Sequence, residues 1–434
     1  MAYNYEYPYT DPNRYNSDWI LNRVKELSLE WIETRKEWNN TREEFESLKE
    51  FIQNYFAQLD LQDEVNVKLD IMARDGSLSA LISPLFSEYI DYVTPQMYGA
   101  KGDGVTDDTE ALKEMLKTKS NIVFPPGNYL VTDTIELSQG AKLEGSFTAT
   151  LVFKENGNLL LNSDCSLIGL NISANGDINA ATINLIGNYC HLDNLRISGG
   201  NFQFSISSDG HSISNIHSLD ALKGAFTFTD VNDAYISNVF VINCGGISIS
   251  MFGRCEAINV TNFTALNGNT CFNIASNSRF CKFTNCFFDS AKITSLMSNV
   301  TDIIFTNTWF SNRTNGISIH CENCSNISFI GCDFVNNNQY ALVLTDSVLV
   351  TIADCLFDSN EGYSIYITGT NAKCIIEGNK FSKIYDNSKN SEDIKFSDGV
   401  IVSSIIITNN ILKNTIINPP SGDKIIIANN IENA

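Results

Sequence analysis

Basic residues are scarce in this chain of 434 residues, in which 29 lysines and arginines face 50 aspartates and glutamates. The net charge of −21 argues against a nucleic-acid partner and against binding to an anionic membrane surface. No apolar run reaches the length of a transmembrane helix, and residues 1–10 have neither the basic nor the apolar region of a signal peptide. We therefore expect a protein made in the cytoplasm without membrane insertion.

Histidine is also rare, and none of the four (His191, His211, His217 and His320) lies in a recognisable catalytic motif. The twelve cysteines include one Cys-x-x-Cys pair, Cys321 and Cys324, which lacks the second pair of a zinc site. A turn with two buried thiols is the favoured interpretation of that pair. Other cysteines recur in register with the repeat described next, as small core hydrophobes do, and a chain made without export favours free thiols. We expect no metal and no cofactor.

One short phrase recurs thirteen times along the chain. An apolar anchor is followed two positions later by a small or turn-prone residue, most often asparagine or glycine, and most steps measure 20 to 25 residues. The anchors are Leu143, Leu167, Leu192, Ile213, Ile236, Val260, Phe283, Phe305, Phe329, Ile352, Ile376, Ile407 and Ile427. Residues 386–398 interrupt the series and are interpreted as an inserted loop. Units of this length that bury an apolar face only against their neighbours form a solenoid.

The phase of the repeat indicates strands. A second apolar column lies two residues before each anchor, and the residue between the two columns varies, which is the period of a strand with one buried face. Neither a helical period nor the Leu-x-x-Leu-x-Leu pattern of leucine-rich repeats is present. The sequence thus predicts an all-β solenoid, a single-stranded parallel β-helix of about thirteen coils over residues 141–434. Asparagine at the turn fits, because it tolerates left-handed backbone and its amides can bond from coil to coil.

The first hundred residues have a different organisation. Residues 1–18 are aromatic and irregular, and are interpreted as an arm that folds on another protein, with a disordered tail as the alternative. Residues 19–75 predict a helical coiled-coil stalk, with 76–97 as a connector; an amphipathic helix packed on its own chain is the alternative. The seam has strict seven-residue steps, and its bulky aromatics suit three or more helices better than two. Its members are Val24, Trp31, Trp38, Phe45, Ile52 and Leu59.

Residues 98–127 contain the one sharp motif, Tyr98-Gly-Ala-Lys-Gly-Asp-Gly-Val-Thr-Asp-Asp-Thr followed by a short helix and by Asn121-Ile-Val-Phe-Pro-Pro-Gly. This segment resembles the opening of pectate-lyase-like superfamily proteins, in which it closes the start of a right-handed β-helix. The resemblance implies the handedness, and it implies a cap over residues 98–140. Asp103, Asp107 and Asp108 would then be structural residues of the cap, with calcium binding or catalysis as the alternative.

The order of arm, coiled coil, cap and β-helix resembles that of bacteriophage tail appendages such as tailspikes and neck appendages. Relatives of this kind are usually homotrimers that bind or cleave surface glycans. The resemblance implies a virion protein that attaches through its arm to other tail or neck proteins, and whose partners are two copies of itself and a host surface polysaccharide.

A row of outward positions two residues past each turn carries unexpected apolar groups, namely Phe240, Phe287, Trp309 and Leu356. Exposed apolar patches usually mark a contact surface. Two contacts are open at this point, a trimer interface and a platform on which sugars stack.

Catalysis is harder to assign. Asp333 and Asp358 are candidates, since one coil and two strand residues would separate them by roughly 8 Å, a spacing that suits an inverting glycosidase. Arg254, Arg279 and Arg313 are candidate bases for a lyase, but the sequence shows no constellation among them. Three hypotheses follow: a receptor-binding appendage without enzymatic activity, a glycan depolymerase (hydrolase or lyase) on the same scaffold, and a purely structural tail component.

Overall fold

The computed structural model describes residues 92–118, 120–174, 181–384, 391–414, 416–420 and 424–432. The predicted arm (1–18) and coiled-coil stalk (19–75) lie outside the described residues, as does most of the connector. The cap and the coils of the repeat are described.

Each central coil follows the same path. The strand Ser212–Leu219 bends at Asn215, whose φ of 54° is left-handed, and after a further turn the chain enters the strand Gly224–Thr229. The next coil repeats the path one level further along, with Ile213 opposite Ile236 and Phe226 opposite Ile249 in parallel register. Every strand pairing in the described residues is parallel, and the path winds about thirteen times. The predicted parallel β-solenoid is confirmed.

Each coil has three faces, and the bend separates the first two of them. The pre-turn face contains the strand segments before the left-handed residue, the post-turn face contains the segments after it, and together they form one sheet of 26 strands. Its strands are Asp103–Asp107, Asn121–Val123, Gly127–Val131, Lys142–Glu144, Ala149–Phe153, Ser166–Ile168, Asn171–Ala174, His191–Gly199, Ser212–Leu219, Tyr235–Ile242, Asn259–Leu266, Arg279–Thr284, Phe287–Asp289, Thr301–Thr306, Trp309–Ser311, Ser325–Ile330, Asp333–Val335, Val348–Ala353, Leu356–Asp358, Thr370–Glu377, Lys380–Ser382, Ile401–Val402, Ile405–Thr408, Ile411–Leu412, Ile425–Ala428 and Ile431–Glu432.

The third face is a separate sheet of thirteen strands. It runs along one side of all the coils, so its outward residues also form straight columns. Its strands are Thr134–Leu137, Asn158–Leu161, Ala181–Leu185, Phe202–Ile206, Gly224–Thr229, Ile247–Phe252, Thr270–Ala275, Ser295–Ser298, Ile319–Glu322, Leu342–Thr345, Gly362–Thr368, Ser391–Phe396 and Ile416–Ile417.

Aromatic rings fill the interior of the central coils. Phe305 lies in a stack between Phe283 and Phe329, with ring centroids 4.7 and 5.2 Å apart. A second buried stack follows the turn, as expected from the alternation of the repeat, and contains Phe288, Phe310, Phe334, Phe357 and Phe381. All twelve cysteines are buried with free thiols. Burial of this much apolar surface is the main stabilising contribution to the solenoid.

Asparagines at the bend bond from coil to coil. The Asn238 amide donates to Asn215 Oδ1 at 3.2 Å, and the Asn262 amide donates to Asn238 Oδ1 at 3.0 Å. A second amide ladder lies inside the last coils, where Asn379 donates to Asn410 at 3.0 Å. These bonds give the side-chain amides of the asparagines hydrogen-bond partners in the neighbouring coil, so the asparagine pattern has a structural cause.

A short cap closes the start of the solenoid. Helix α1 (Thr109–Thr118) packs Leu112 and Met115 into the core, and a 3-10 helix (Pro95–Tyr98) precedes it. Among the described residues, no helix has the length and apolar character needed to cross a membrane.

The three carboxylates of the cap bind backbone. Asp107 accepts the Thr109 N–H at 3.0 Å at the start of α1. Asp108 is buried and accepts from the backbone of Lys101 and Gly102, while Asp103 accepts from Thr106. These contacts hold the glycine-rich turn in place.

The region interpreted as an inserted loop contains a strand. Ser391–Phe396 pairs with Gly362–Thr368 on the third face, with Ile394 and Phe396 buried. The interpretation as a loop was wrong for residues 391–396, where the buried Asp393 interrupts the apolar pattern of the strand; residues 386–390 lie outside the described residues.

Candidate functional site

The outward column of the post-turn face is continuous. Phe240 lies opposite His217 and Thr264, Phe287 opposite Trp309, and Trp309 opposite Asp333, which itself lies opposite Leu356. Phe240 is 42% exposed and Phe287 is 38% exposed, while Trp309 and Leu356 are half-buried. The structure therefore gathers the four predicted apolar groups on one side of the solenoid.

The aromatic members of this column are ordered against each other. The rings of Phe287 and Trp309 stack at 5.9 Å, inclined by 16°, and Phe240 lies 5.4 Å from the His217 ring. The Trp309 indole nitrogen is buried without a hydrogen-bond partner. A second outward column beside it is also apolar in the central coils, where it contains Leu219, Ile242 and Leu266. Beside Phe287 and Trp309 this second column carries Asp289 and Ser311, so the two columns are both apolar only around Phe240 and Ile242. Exposed apolar patches of this kind usually mark a contact surface.

The candidate acids differ in environment. Asp333 is partly exposed beside Trp309, and partial burial raises the pKa of its carboxyl. Asp358 is only 7% exposed, and its Oδ1 accepts from the Ser359 hydroxyl and from the Ile384 N–H, each at 2.7 Å. The surroundings of Asp358 are those of a carboxylate that anchors the chain after the strand Lys380–Ser382.

The sequence reasoning missed a group of tyrosines at the third face. Tyr340, Tyr363 and Tyr366 stack pairwise with centroids 5.3 to 5.7 Å apart and ring planes within 30° of each other. All three are half-buried, and the Lys395 ammonium lies 5.9 Å from the centroid of the Tyr363 ring. We call these residues the tyrosine cluster. Tyr363 follows Tyr340 by one coil, so the period of the repeat was a signal that could have identified it.

Two of the three candidate arginines also meet. Arg254 and Arg279 both contact Glu256, at the turn between the third face and the pre-turn face. Arg313 is separate, since it is 4% exposed and donates to the Ser295 hydroxyl at 2.9 Å. Within the described residues, His, Cys, Asp and Glu side chains form no group of three or more that could hold a metal ion.

Two family models match the chain. Residues 94–295 match "Rhamnogalacturonase A/epimerase, pectate lyase-like", and residues 294–381 match "Right handed beta helix region". The first match begins in the cap and the second ends in the strand Lys380–Ser382, so the two together span most of the described solenoid.

Curated relatives include proteins of two phage groups. The chain is 21% identical over 325 residues to Depolymerase 1, capsule KN3-specific, of Klebsiella phage KN3-1, a match that covers 66% of this chain and 38% of that protein. It is 30% identical over 95 residues to the preneck appendage protein of Bacillus phage PZA, covering 22% of this chain and 11% of that protein. The chain thus spans well under half the length of these relatives.

Solved structures share the fold at low identity. The catalytic domain of GH87 alpha-1,3-glucanase in complex with nigerose superposes with a TM-score of 0.57 and 14% identity, covering 71% of this chain and 68% of that one. Tailspike protein 3 of bacteriophage CBA120 superposes with a TM-score of 0.50 and 14% identity, covering 83% and 72%. The described residues therefore form a right-handed, pectate-lyase-like β-helix, and the resemblance of the chain to bacteriophage tail appendages and tailspikes is confirmed.

Proposed function

We propose that this protein is a phage tail or neck appendage that binds a host surface polysaccharide through the tyrosine cluster. The observation that carries the proposal is the mutual stacking of three half-buried tyrosines, Tyr340, Tyr363 and Tyr366. Sugars present apolar C–H faces flanked by hydroxyls, which aromatic rings and phenolic hydroxyls can contact together. The names of the relatives, a capsule-specific depolymerase and a preneck appendage protein, support a glycan and a virion location.

Binding is tested with purified polysaccharides and the intact chain. Tyr363→Ala and Tyr366→Ala are compared with Tyr235→Ala, a matched control at a 61% exposed tyrosine on the pre-turn face. The probes are Klebsiella capsular polysaccharides and Bacillus cell-wall polysaccharides, measured by calorimetry and by pull-down. We expect each cluster variant to weaken binding of one probe about tenfold and the control to leave it unchanged. A wild-type chain that binds no probe favours the purely structural appendage.

The assembly we propose is a homotrimer. The heptad seam from Val24 to Leu59 suits three parallel helices, and the adjoining apolar columns of the post-turn face suit a contact with a second copy. This assigns Phe240, Phe287, Trp309 and Leu356 to the trimer interface and leaves the tyrosine cluster to the glycan. Light scattering on the purified chain reports the mass. Deleting residues 1–18 should preserve the trimer and abolish incorporation into phage particles.

A second candidate function is cleavage of the bound glycan. Asp333 favours it, since a carboxyl with a raised pKa beside an aromatic ring can act as a general acid. Incubation of the probes with the chain, followed by detection of new reducing ends or unsaturated sugars, measures it. Asp333→Asn and Asp358→Asn should abolish cleavage and retain binding if this pair is catalytic. Cleavage unaffected by both substitutions removes the pair from consideration.

A further inference from the structure

Four successive coils line an open surface groove of about 420 Å³ between the third face and the pre-turn face. That volume falls within the range of small-ligand sites, roughly 300 to 1,000 Å³. Unlike most such sites, the groove is lined chiefly by charged and hydrogen-bonding side chains, among them Arg254, Arg279, Asn277, Asn299, Asn323 and Ser325. We call it the arginine groove.

Two arginines of the arginine groove share one carboxylate. Arg254 Nε and Arg279 Nη2 both bond to the same carboxylate oxygen, Glu256 Oε1, the second at 2.8 Å. The Arg254 guanidinium, and then that of Arg279, hold the pKa of Glu256 below its usual range, so this carboxylate stays ionised. Two guanidiniums thus share one side-chain carboxylate, while the Asp230 carboxylate accepts from the backbone N–H of Arg254 at 2.8 Å.

Arg279 is fixed in place with donors to spare. Its guanidinium carbon lies 5.3 Å from the centroid of the Phe280 ring, and its Nε is buried with no hydrogen-bond partner. A guanidinium carries five N–H donors in a rigid plane, and Glu256 engages one of them here. Two acidic residues adjoin the lining in the sequence: Asp302 accepts from the Asn326 amide, and Glu322 directly precedes Asn323. Planar donors of this kind match the oxygens of a carboxylate, sulfate or phosphate.

The other lining groups suit a saccharide. Asn277, Asn299 and Asn323 come from successive coils, so amide groups repeat at intervals of ~4.8 Å along the groove. The groove and the tyrosine cluster lie at different levels of the solenoid. Asn323 directly follows the strand Ile319–Glu322, which is two pairings (~10 Å) from the strand of Tyr366, and the coil of Arg279 is four pairings (~19 Å) from that strand. One extended glycan can therefore contact both.

We infer that the arginine groove binds an acidic saccharide unit of the polysaccharide, one that carries a carboxylate, sulfate or phosphate. This inference rests on the proposed glycan binding and adds the chemical class of the ligand. The two guanidiniums would bind the anionic group, while the amides and Ser325 would bond to sugar hydroxyls.

The test uses the intact chain and four probes. Three are anionic and differ in the charged group: trigalacturonate (carboxylate), a chondroitin sulfate hexasaccharide (sulfate) and a glycerol teichoic-acid oligomer (phosphate). The fourth, cellotetraose, is neutral. Binding by calorimetry is compared for wild type, Arg254→Gln, Arg279→Gln and Lys282→Gln. Lys282 is exposed on the pre-turn face and does not line the groove, so this control removes one positive charge elsewhere.

We expect at least one anionic probe to bind better than cellotetraose, with affinity that falls as salt rises. Arg254→Gln and Arg279→Gln should each weaken that binding about tenfold, while Lys282→Gln should change it less than twofold. Anionic probes that bind no better than cellotetraose, or arginine variants that bind like wild type, overturn the inference. If only the tyrosine variants lose polysaccharide binding, the acidic-saccharide site is wrong and the proposed function stands.

Discussion

The phenyl rings of Phe283 and Phe305, 22 residues apart in the chain, lie face to face inside the solenoid with centroids 4.7 Å apart and planes inclined by 14°. Each ring is completely buried, and Phe305 continues the stack to Phe329. A coil of the solenoid therefore has no core of its own, and its stability comes from the coils on either side.

Removing a ring from this stack should be costly. Phe305→Ala leaves a cavity among buried rings, and we expect a loss of about 3–5 kcal/mol in the free energy of unfolding. Phe305→Asp buries an unpaired charge and should prevent soluble folding. Chemical denaturation measures the first, and Tyr235→Ala at an exposed site should stay within about 0.5 kcal/mol of wild type. A soluble Phe305→Asp chain with unchanged melting contradicts the stacking.

The post-turn face should be sensitive to charge if it is the trimer interface. Phe240→Asp places a carboxylate in the apolar column, and we expect the trimer to dissociate at a protein concentration at least tenfold higher than for wild type. Sedimentation over a concentration series measures this. Phe252→Asp is the matched control, since Phe252 is a similarly exposed phenylalanine on the third face. Equal dissociation of the two variants removes the assignment of the interface to this face.

Asp358 should matter for folding. Its Oδ1 accepts from the Ile384 N–H and the Ser359 hydroxyl while the side chain is buried. Asp358→Ala leaves these donors without that acceptor, and we expect a loss of about 1–3 kcal/mol. The more exposed Asp333 should tolerate Asp333→Ala with little change in unfolding midpoint. Equal stability of the two variants argues against the structural role of Asp358.

A buried acid should make stability depend on pH. Burial raises the pKa of Asp393 to about 7, whereas an aspartate in the unfolded chain titrates near 4. Between these values the folded chain holds a proton that the unfolded chain has lost, so the contribution to stability is full below pH ~4 and falls as pH rises to about 7. The total loss is about 4 kcal/mol.

The measurement compares unfolding at pH 4.5, 6 and 7.5. Asp393→Asn should remove this fall relative to wild type, because its side chain does not ionise. Glu377→Gln, at an exposed carboxylate, serves as the control and should retain the fall. A wild-type chain and an Asp393→Asn chain with parallel pH profiles would show that Asp393 is ionised in the fold.

The repeat predicted the solenoid and its register because the apolar anchor and its turn residue recur in every coil, although the length of the coil varies. Trp309 stacks on Phe287 because the two residues occupy the same position in successive coils. Phe288 is buried because side chains alternate between the two sides of a strand. Charged residues hid the strand Ser391–Phe396, since Asp393 occupies a buried position. A buried carboxyl has no apolar signature in a sequence.

The arginine groove could not be predicted in this way. Arg254 lies in a turn and Arg279 at the start of the strand of the next coil, and turns vary in length and conformation while strands keep a fixed period. Their meeting depends on Glu256 and on the left-handed backbone of Phe280, with φ of 57°. The tyrosine cluster could be predicted in part. Tyr340 and Tyr363 lie one coil apart, so the repeat places them together, whereas the contact of Tyr366 with both depends on the direction of its side chain.

In the central coils the strands pair in parallel without register shifts, so equivalent surface positions recur at regular intervals along the solenoid. Removing or adding one whole coil between two surface groups changes their separation by one strand spacing, ~4.8 Å, and leaves the environment of each group intact. The separation between the arginine groove and the tyrosine cluster along the solenoid is set by the number of coils between them. Selection among polymers with different repeat lengths can therefore proceed by gain or loss of coils, without redesign of either contact.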